Sequence, residues 1–185
     1  LRKFNQDYVK QVIADLEKRG VKFIYNAQVD HFEEDGSHFT VSYNDHETLT
    51  TDWILDATGR IPNIENIGLD EVGVSYNANG IEVNDHLQTN IDNIYASGDV
   101  IDKEQPKLTP TAIFESNYLT QLFTGKTTDA INYPPIPTIV FTSPQIAQVG
   151  MSVEEAQQNP DYTIKTNHLP DEWFRQVDKE TIGDN

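Results

Sequence analysis

Apolar side chains recur at helical spacing near the start of the chain, where Tyr8, Val9, Val12, Ile13 and Leu16 share one face. Asn5 stands where a side-chain oxygen caps free amides. Phe4 and Val9 are spaced as a staple across that cap, and Gly20 lies where a left-handed stop is wanted. The pattern predicts a helix over 5–19. Val21-Lys22-Phe23-Ile24-Tyr25 then reads as a strand, which makes the pair half of a βαβ unit whose first strand is expected upstream of Leu1. Phe39, Val41 and Tyr43 alternate with Thr40 and Ser42, so 28–33 and 38–43 read as a hairpin turning at Asp35-Gly36. Trp53-Ile54-Leu55 leads into Asp56-Ala57-Thr58-Gly59, a mostly apolar run suited to a strand covered on both faces.

The pattern loosens over 60–80, which is rich in Gly, Asn and Pro and reads as loop. Ile81-Glu82-Val83 and Ile94-Tyr95-Ala96 are expected as short strands. Thr109 as cap and Pro110 at the first helical position open a helix that runs to about Phe123, with Gly125 just past its end. Residues 126–137 read as a linker, extended and stiff over Tyr133-Pro134-Pro135-Ile136-Pro137. Beyond it, 138–141 and 146–149 are expected as strands around a Ser143-Pro144 turn. Ser152 and Glu155 form a capping box for a short helix, and 162–168 is expected as a third strand.

Composition narrows the functions available. Thirty acidic against 13 basic residues give a net charge of −17, which disfavours nucleic acid and anionic membrane surfaces as partners. The chain has no cysteine, so it carries neither a disulfide framework nor a redox thiol. No run approaches the ~20 apolar residues of a membrane span, and Leu1-Arg2-Lys3-Phe4 lacks the apolar stretch of a signal peptide. A cytoplasmic protein is the expectation. The absence of an initiator methionine points to a chain that begins inside a longer one.

Two segments about forty residues apart carry the candidate chemistry: Ala57-Thr58-Gly59-Arg60-Ile61-Pro62-Asn63, and Ile94-Tyr95-Ala96-Ser97-Gly98-Asp99-Val100. Each is an apolar run that stops at a glycine with a charged residue next. Such an arrangement brings backbone and charge close to a ligand at the carboxyl end of a strand. The residues alone leave two readings for each. Asp99 accepts hydrogen bonds from a bound polyol or caps a turn; Thr109 opens an amide-rich helix start that meets an anion or is an ordinary helix cap. Gly59 and Arg60 form a diphosphate contact or a tight interdomain turn with a surface arginine. His31, Glu33, Glu34 and Asp35 flank the hairpin turn and read as a solvated acidic face rather than a metal site. Trp173-Phe174 reads as packing or a dimer contact.

With Leu1-Arg2-Lys3-Phe4, Leu108-Thr109-Pro110-Thr111-Ala112 and the run Ile136 to Pro144, these segments stand in an order and at a spacing that resembles the pyridine nucleotide–disulfide oxidoreductases, in the branch of glutathione reductase, dihydrolipoamide dehydrogenase and mercuric reductase. The resemblance implies an α/β fold: doubly wound FAD- and NAD(P)-binding segments followed by the start of an α+β interface (dimerisation) domain. It assigns 1–57 to the back part of the NAD(P)-binding domain, 58–130 to the second segment of the FAD-binding domain, and 136–185 to the interface domain. It also implies that the flavin pyrophosphate loop, the redox cysteines and the terminal His-Glu base lie outside this stretch; His168 and Glu172 do not match the spacing of that base. By the same resemblance Gly98 and Asp99 meet the FAD ribityl chain, and Lys107, Leu108 and Thr109 lie at the flavin edge. Gly59 and Arg60 contact a dinucleotide, Arg2 meets the 2′-phosphate of NADPH, and Ile139 approaches the nicotinamide. The implied activity passes electrons from nicotinamide through flavin to a disulfide or similar acceptor, with a homodimer as the working form. No catalytic acid, base, nucleophile or metal ligand is expected in this chain. The rival reading from another class is a non-catalytic dimerisation or nucleotide-binding fragment. With neighbouring segments elsewhere, some of the apolar residues named above are expected to be exposed.

Overall fold

The computed structural model describes residues 1–167. Helix α1 spans Gln6–Lys18, and Asn5 caps it by accepting from the amides of Asp7 and Tyr8 at 3.0 and 3.3 Å. Its apolar stripe buries Val9 and Val12 against Ile146 from the far end of the described chain, with Phe4, Ile13 and Leu16 packed alongside. The staple residue Phe4 therefore joins the same small core as Val9, as its spacing predicts.

Strands β1 (Val29–Asp35), β2 (His38–Tyr43) and β3 (Glu47–Thr51) form an antiparallel meander in that order. The hairpin is the expected one. The third strand is an addition: Glu47-Thr48-Leu49-Thr50-Thr51 is mostly polar, and it is recruited by pairing Tyr43 with Glu47 and Phe39 with Thr51.

Two expected strands are not formed. Residues 21–25 and 53–55 carry no strand, and Tyr25, Trp53 and Leu55 are 60%, 86% and 88% exposed. The physical reason is the ladder. An extended, apolar segment becomes a strand only when a neighbour takes up its amides and carbonyls, and no described segment does so for these two. The expected exposure of apolar residues is met here and at Ile61 (83%) and Phe141 (80%).

The stretch 60–80 is not all loop. It holds the short helix α2 (Leu69–Val72) and β4 (Tyr76–Asn77), which pairs with β5 (Gly80–Ile81). The strand expected over 81–83 shrinks to Ile81, which also bridges in parallel to Ile101. The strand expected over 94–96 shrinks to one bridge, Gln88 to Tyr95. Gly80 makes the close approach possible. A Cβ there would fall 2.7 Å from the carbonyl carbon of Ile101 and 2.9 Å from the Asp102 nitrogen.

Helix α3 spans Thr109–Phe123 and ends before Gly125. Its N-cap is Leu108 rather than the expected Thr109, and no side chain caps it; Thr109 is already helical. Tyr118 from α3 closes the second core with Leu87 and Ile101, to which Val83, Ala96, Val100, Leu119, Leu122 and Ile131 add. Residues 126–137 have no regular structure but are not a free linker. The Ile131 amide donates to Asp85 O at 2.8 Å, and the Tyr118 hydroxyl to Asp129 O at 2.8 Å.

Strands β6 (Thr138–Val140) and β7 (Ile146–Gln148) pair antiparallel around Ser143-Pro144, as expected. Helix α4 (Val153–Gln158) carries the expected capping box between Ser152 and Glu155. Residues 162–167 form no strand. His168, the end of that expected strand, lies outside the described residues, as do Glu172, Trp173 and Phe174.

Candidate functional site

The second glycine segment is built on the second core. Ala96 donates its amide to Leu87 O at 3.0 Å, and buried Thr89 donates its hydroxyl to Ile94 O at 3.0 Å, so 94–96 is held against 87–89. Ser97 stays extended, and the chain then reverses through a single 3-10 turn over Gly98–Val100. Gly98 sits at φ +82°, a conformation that side chains other than glycine's rarely accept. A Cβ there would meet Ala112 Cβ at an ordinary 3.6 Å, so the demand for glycine is conformational rather than steric. The result is a buried glycine followed by an exposed carboxylate, Asp99.

The first segment faces it. Asp56 folds into a local turn by accepting from the Thr58 amide at 3.0 Å and the Thr58 hydroxyl at 2.8 Å. Those bonds, the amide's first, hold the Asp56 carboxyl below the usual carboxylate range. After exposed Gly59 the chain runs on through Arg60, Ile61, Pro62 and Asn63. These four line a groove of about 430 Å3 together with Asp99, Val100 and Lys107.

The donor set fits a dinucleotide cofactor with a polyol arm. Asp99 is an anionic acceptor for hydroxyls, Arg60 and Lys107 are cations for a diphosphate, and Ile61, Pro62 and Val100 supply apolar wall. A larger hollow of about 540 Å3, between Glu104-Gln105-Pro106 and Tyr133 to Ile136, is lined by no cationic side chain to neutralise a diphosphate.

Three of the expected site residues thus converge: Asp99, Arg60 and Lys107. Gly98 and Gly59 each precede one of them in the chain. Lys107 also donates to Asn79 O at 2.6 Å, which anchors its side chain on the β4–β5 turn. Half-buried Leu108 and exposed Thr109 follow Lys107 at the start of α3 and do not line the groove. The start of α3 nevertheless packs on the Gly98–Val100 turn, through Ala112 beside Gly98. Arg2 is exposed at the head of α1, and Ile139 is 48% exposed on β6; neither lines the groove.

Behind the turn lies a network that the motifs did not reveal. Glu115 is fully buried. Its Oε2 accepts from the Gly98 amide at 2.5 Å, while its Oε1 accepts from Lys103 Nζ at 2.6 Å and from the Tyr133 hydroxyl at 2.8 Å. Lys103 retains only 4% of its side-chain exposure, so this is a buried ion pair in which both carboxylate oxygens have hydrogen-bond partners. Burial, and then the bond to Glu115, push the Tyr133 hydroxyl well above the ordinary tyrosine range. One sequence signal was available: Glu115 is the sole charged residue between Thr109 and Phe123.

Comparison with known proteins bears on this geometry. The family model described as pyridine nucleotide-disulphide oxidoreductase matches residues 1–116. The chain belongs to the pyridine nucleotide–disulphide oxidoreductase family. Its relatives in that family include the dihydrolipoyl dehydrogenase of Chlamydia muridarum, 32% identical over 95% of this chain and 36% of that protein. The glutathione reductase of a Nostoc species is 32% identical over 85% of this chain and 37% of its own length. The mercuric reductase of Lysinibacillus sphaericus is 30% identical over 99% and 34%. Among solved structures, the HOCl-induced flavoprotein disulfide reductase RclA of Escherichia coli superposes with a TM-score of 0.77 at 25% identity, over 86% of this chain and 37% of that one. The mixed helix and strand content is that of pyridine nucleotide–disulphide oxidoreductase folds. The chain spans about a third of the length of the curated relatives it matches.

Proposed function

We propose that this chain is the part of an FAD-dependent NAD(P)H oxidoreductase that holds the ribityl–diphosphate stretch of the flavin. The whole enzyme then passes electrons from nicotinamide through flavin to a disulfide or similar acceptor. The observation that carries the reading is the groove in which Asp99, Arg60 and Lys107 meet around an apolar wall. In this reading Asp99 accepts from ribityl hydroxyls, with Gly98 leaving the approach open, and Arg60 and Lys107 neutralise the diphosphate. Bound flavin supplies the two-electron chemistry that no side chain of this stretch can perform. The amides at the α3 start, by Leu108 and Thr109, favour negative charge near them. Gly59 gives the crossover its turn, Arg2 offers a cation for a nucleotide phosphate, and Ile139 supplies apolar surface toward the nicotinamide side.

The domain assignment follows the same reading: 1–57 with the nicotinamide nucleotide, 58–130 with the flavin, 136–185 with the subunit interface. A homodimer through the last of these is supported by the exposure of Phe141, Val149 and Met151 on that segment. A cytoplasmic site of action fits a described chain in which no helix is long and apolar enough to cross a membrane.

The deciding experiment is spectral. The full-length protein, purified and freed of small molecules by gel filtration, is expected to show a flavin absorbance band. Anaerobic addition of NADH or NADPH is expected to bleach it, and the faster of the two names the donor. A colourless protein that takes up no added FAD would overturn the proposal.

A further inference from the structure

The buried carboxylate of Glu115 divides its two oxygens between two parts of the chain. Oε2 holds the Gly98 amide at 2.5 Å, and Gly98 is the residue whose left-handed backbone sets the direction of Asp99. Oε1 holds Tyr133 and Lys103, and Tyr133 belongs to the segment that runs into β6. A carboxylate on a backbone amide is a strong, short bond, and here it is shielded from water on all sides. Ala112 packs on Gly98 and Val100 joins the second core, but among the described residues Glu115 supplies the one side-chain hydrogen bond to the backbone of the Gly98–Val100 turn. Its own cap carries no side-chain bond, and Asp99 faces outward.

We propose that Glu115 is a positioning residue for the flavin: by gripping the Gly98 amide it sets the turn from which Asp99 reaches the ribityl chain, with Lys103 and Tyr133 holding the carboxylate in place. The inference rests on the flavin reading above. It adds that cofactor affinity is controlled from a buried residue that does not line the groove.

The test uses the full-length protein stripped of flavin and retitrated with FAD, followed by flavin fluorescence and the visible absorbance band. The variants are Glu115→Gln, the charge-balanced pair Glu115→Gln with Lys103→Met, and each of these combined with Asp99→Ala. Glu115→Gln alone leaves Lys103 buried without its anion, so the balanced pair guards against a simple folding failure. The balanced pair is expected to stay folded, to bind FAD about tenfold more weakly and to shift the flavin band. In the Asp99→Ala background the same change is expected to cost little further affinity, because the grip then positions nothing. Wild-type FAD affinity with an unchanged band in the balanced pair overturns the proposal. So does an affinity loss that is just as large without Asp99, which marks a purely structural residue. An unmutated protein that binds no FAD sinks the flavin reading itself, a result distinct from either.

Discussion

The hydroxyl of Tyr133 donates to Glu115 Oε1 at 2.8 Å, across eighteen residues of sequence and inside a half-buried pocket that already holds Lys103. Replacing Tyr133 by Phe removes one charge-assisted bond from a buried anion and is expected to lower stability by about 1.5–3 kcal/mol. Urea melts of the full-length protein measure it. Burial and the Glu115 bond raise the folded tyrosine above its ordinary 10.0. The contribution is thus complete below pH ~10 and fades as pH climbs through the folded value. The wild-type advantage over the Phe variant should narrow only in strong alkali; a gap that already closes at neutral pH contradicts the contact.

Asp99→Ala is expected to weaken FAD binding in the full-length protein about ten- to a hundredfold, because a carboxylate acceptor for ribityl hydroxyls is lost. Asp99→Asn keeps an acceptor oxygen and should lose less. Equilibrium titration of the flavin-free protein reads both. Equal affinities for wild type and the Ala variant would remove Asp99 from the site.

Gly80→Ala is expected to destabilise by about 2–4 kcal/mol, combining an unfavourable backbone conformation with overpacking. Gly80 lies at φ +141°, and the new methyl would press on the backbone of Val100 and Ile101. Those atoms adjoin the Asp102 amide, which donates to Ile81 O at 2.9 Å. Amide exchange at Asp102 should therefore speed up more than exchange in α1. Unchanged melting and exchange would mean that the chain shifts there at no cost.

His86 is expected to titrate above its ordinary 6.5, first because Asp85 bonds its Nδ1 at 2.7 Å and then because the Thr128 carbonyl lies 3.2 Å from its Nε2. The folded pKa is raised, so the stabilisation is full below pH ~6.5 and is lost as pH rises through the folded value. Nuclear magnetic resonance of the imidazole gives the midpoint, and His86→Gln should flatten the stability profile across that window. A midpoint at or below 6.5 contradicts the assignment.

The sequence made the local features legible. Asn5 with Phe4 and Val9, the Asp35-Gly36 hairpin and the Ser152–Glu155 box all depend on neighbours within about five residues and stand where the pattern puts them, and Pro110 marks the head of α3 to within one residue. What failed were features decided by distant partners. Val21 to Tyr25 and Trp53 to Leu55 look like strands by composition, yet a strand exists only when another segment completes its ladder. Polar β3 became a strand because β2 supplied that ladder. The groove divides the same way. Asp99 and Arg60 are marked by glycine-ended motifs, whereas Glu115 acts on Gly98 from seventeen residues downstream and has no motif of its own.

Ile131 shows where this polypeptide must not be divided. The prolines and glycine around it invite a cut after Phe123, yet its amide is spent on Asp85 O, its side chain covers the Leu87–Ile101–Tyr118 cluster, and Tyr133 follows two residues later. Severing there would bare an oily floor and take the Tyr133 hydroxyl away from the Glu115 carboxylate. A recombinant flavin segment should run through Pro137, and fusions or tags belong beyond that point.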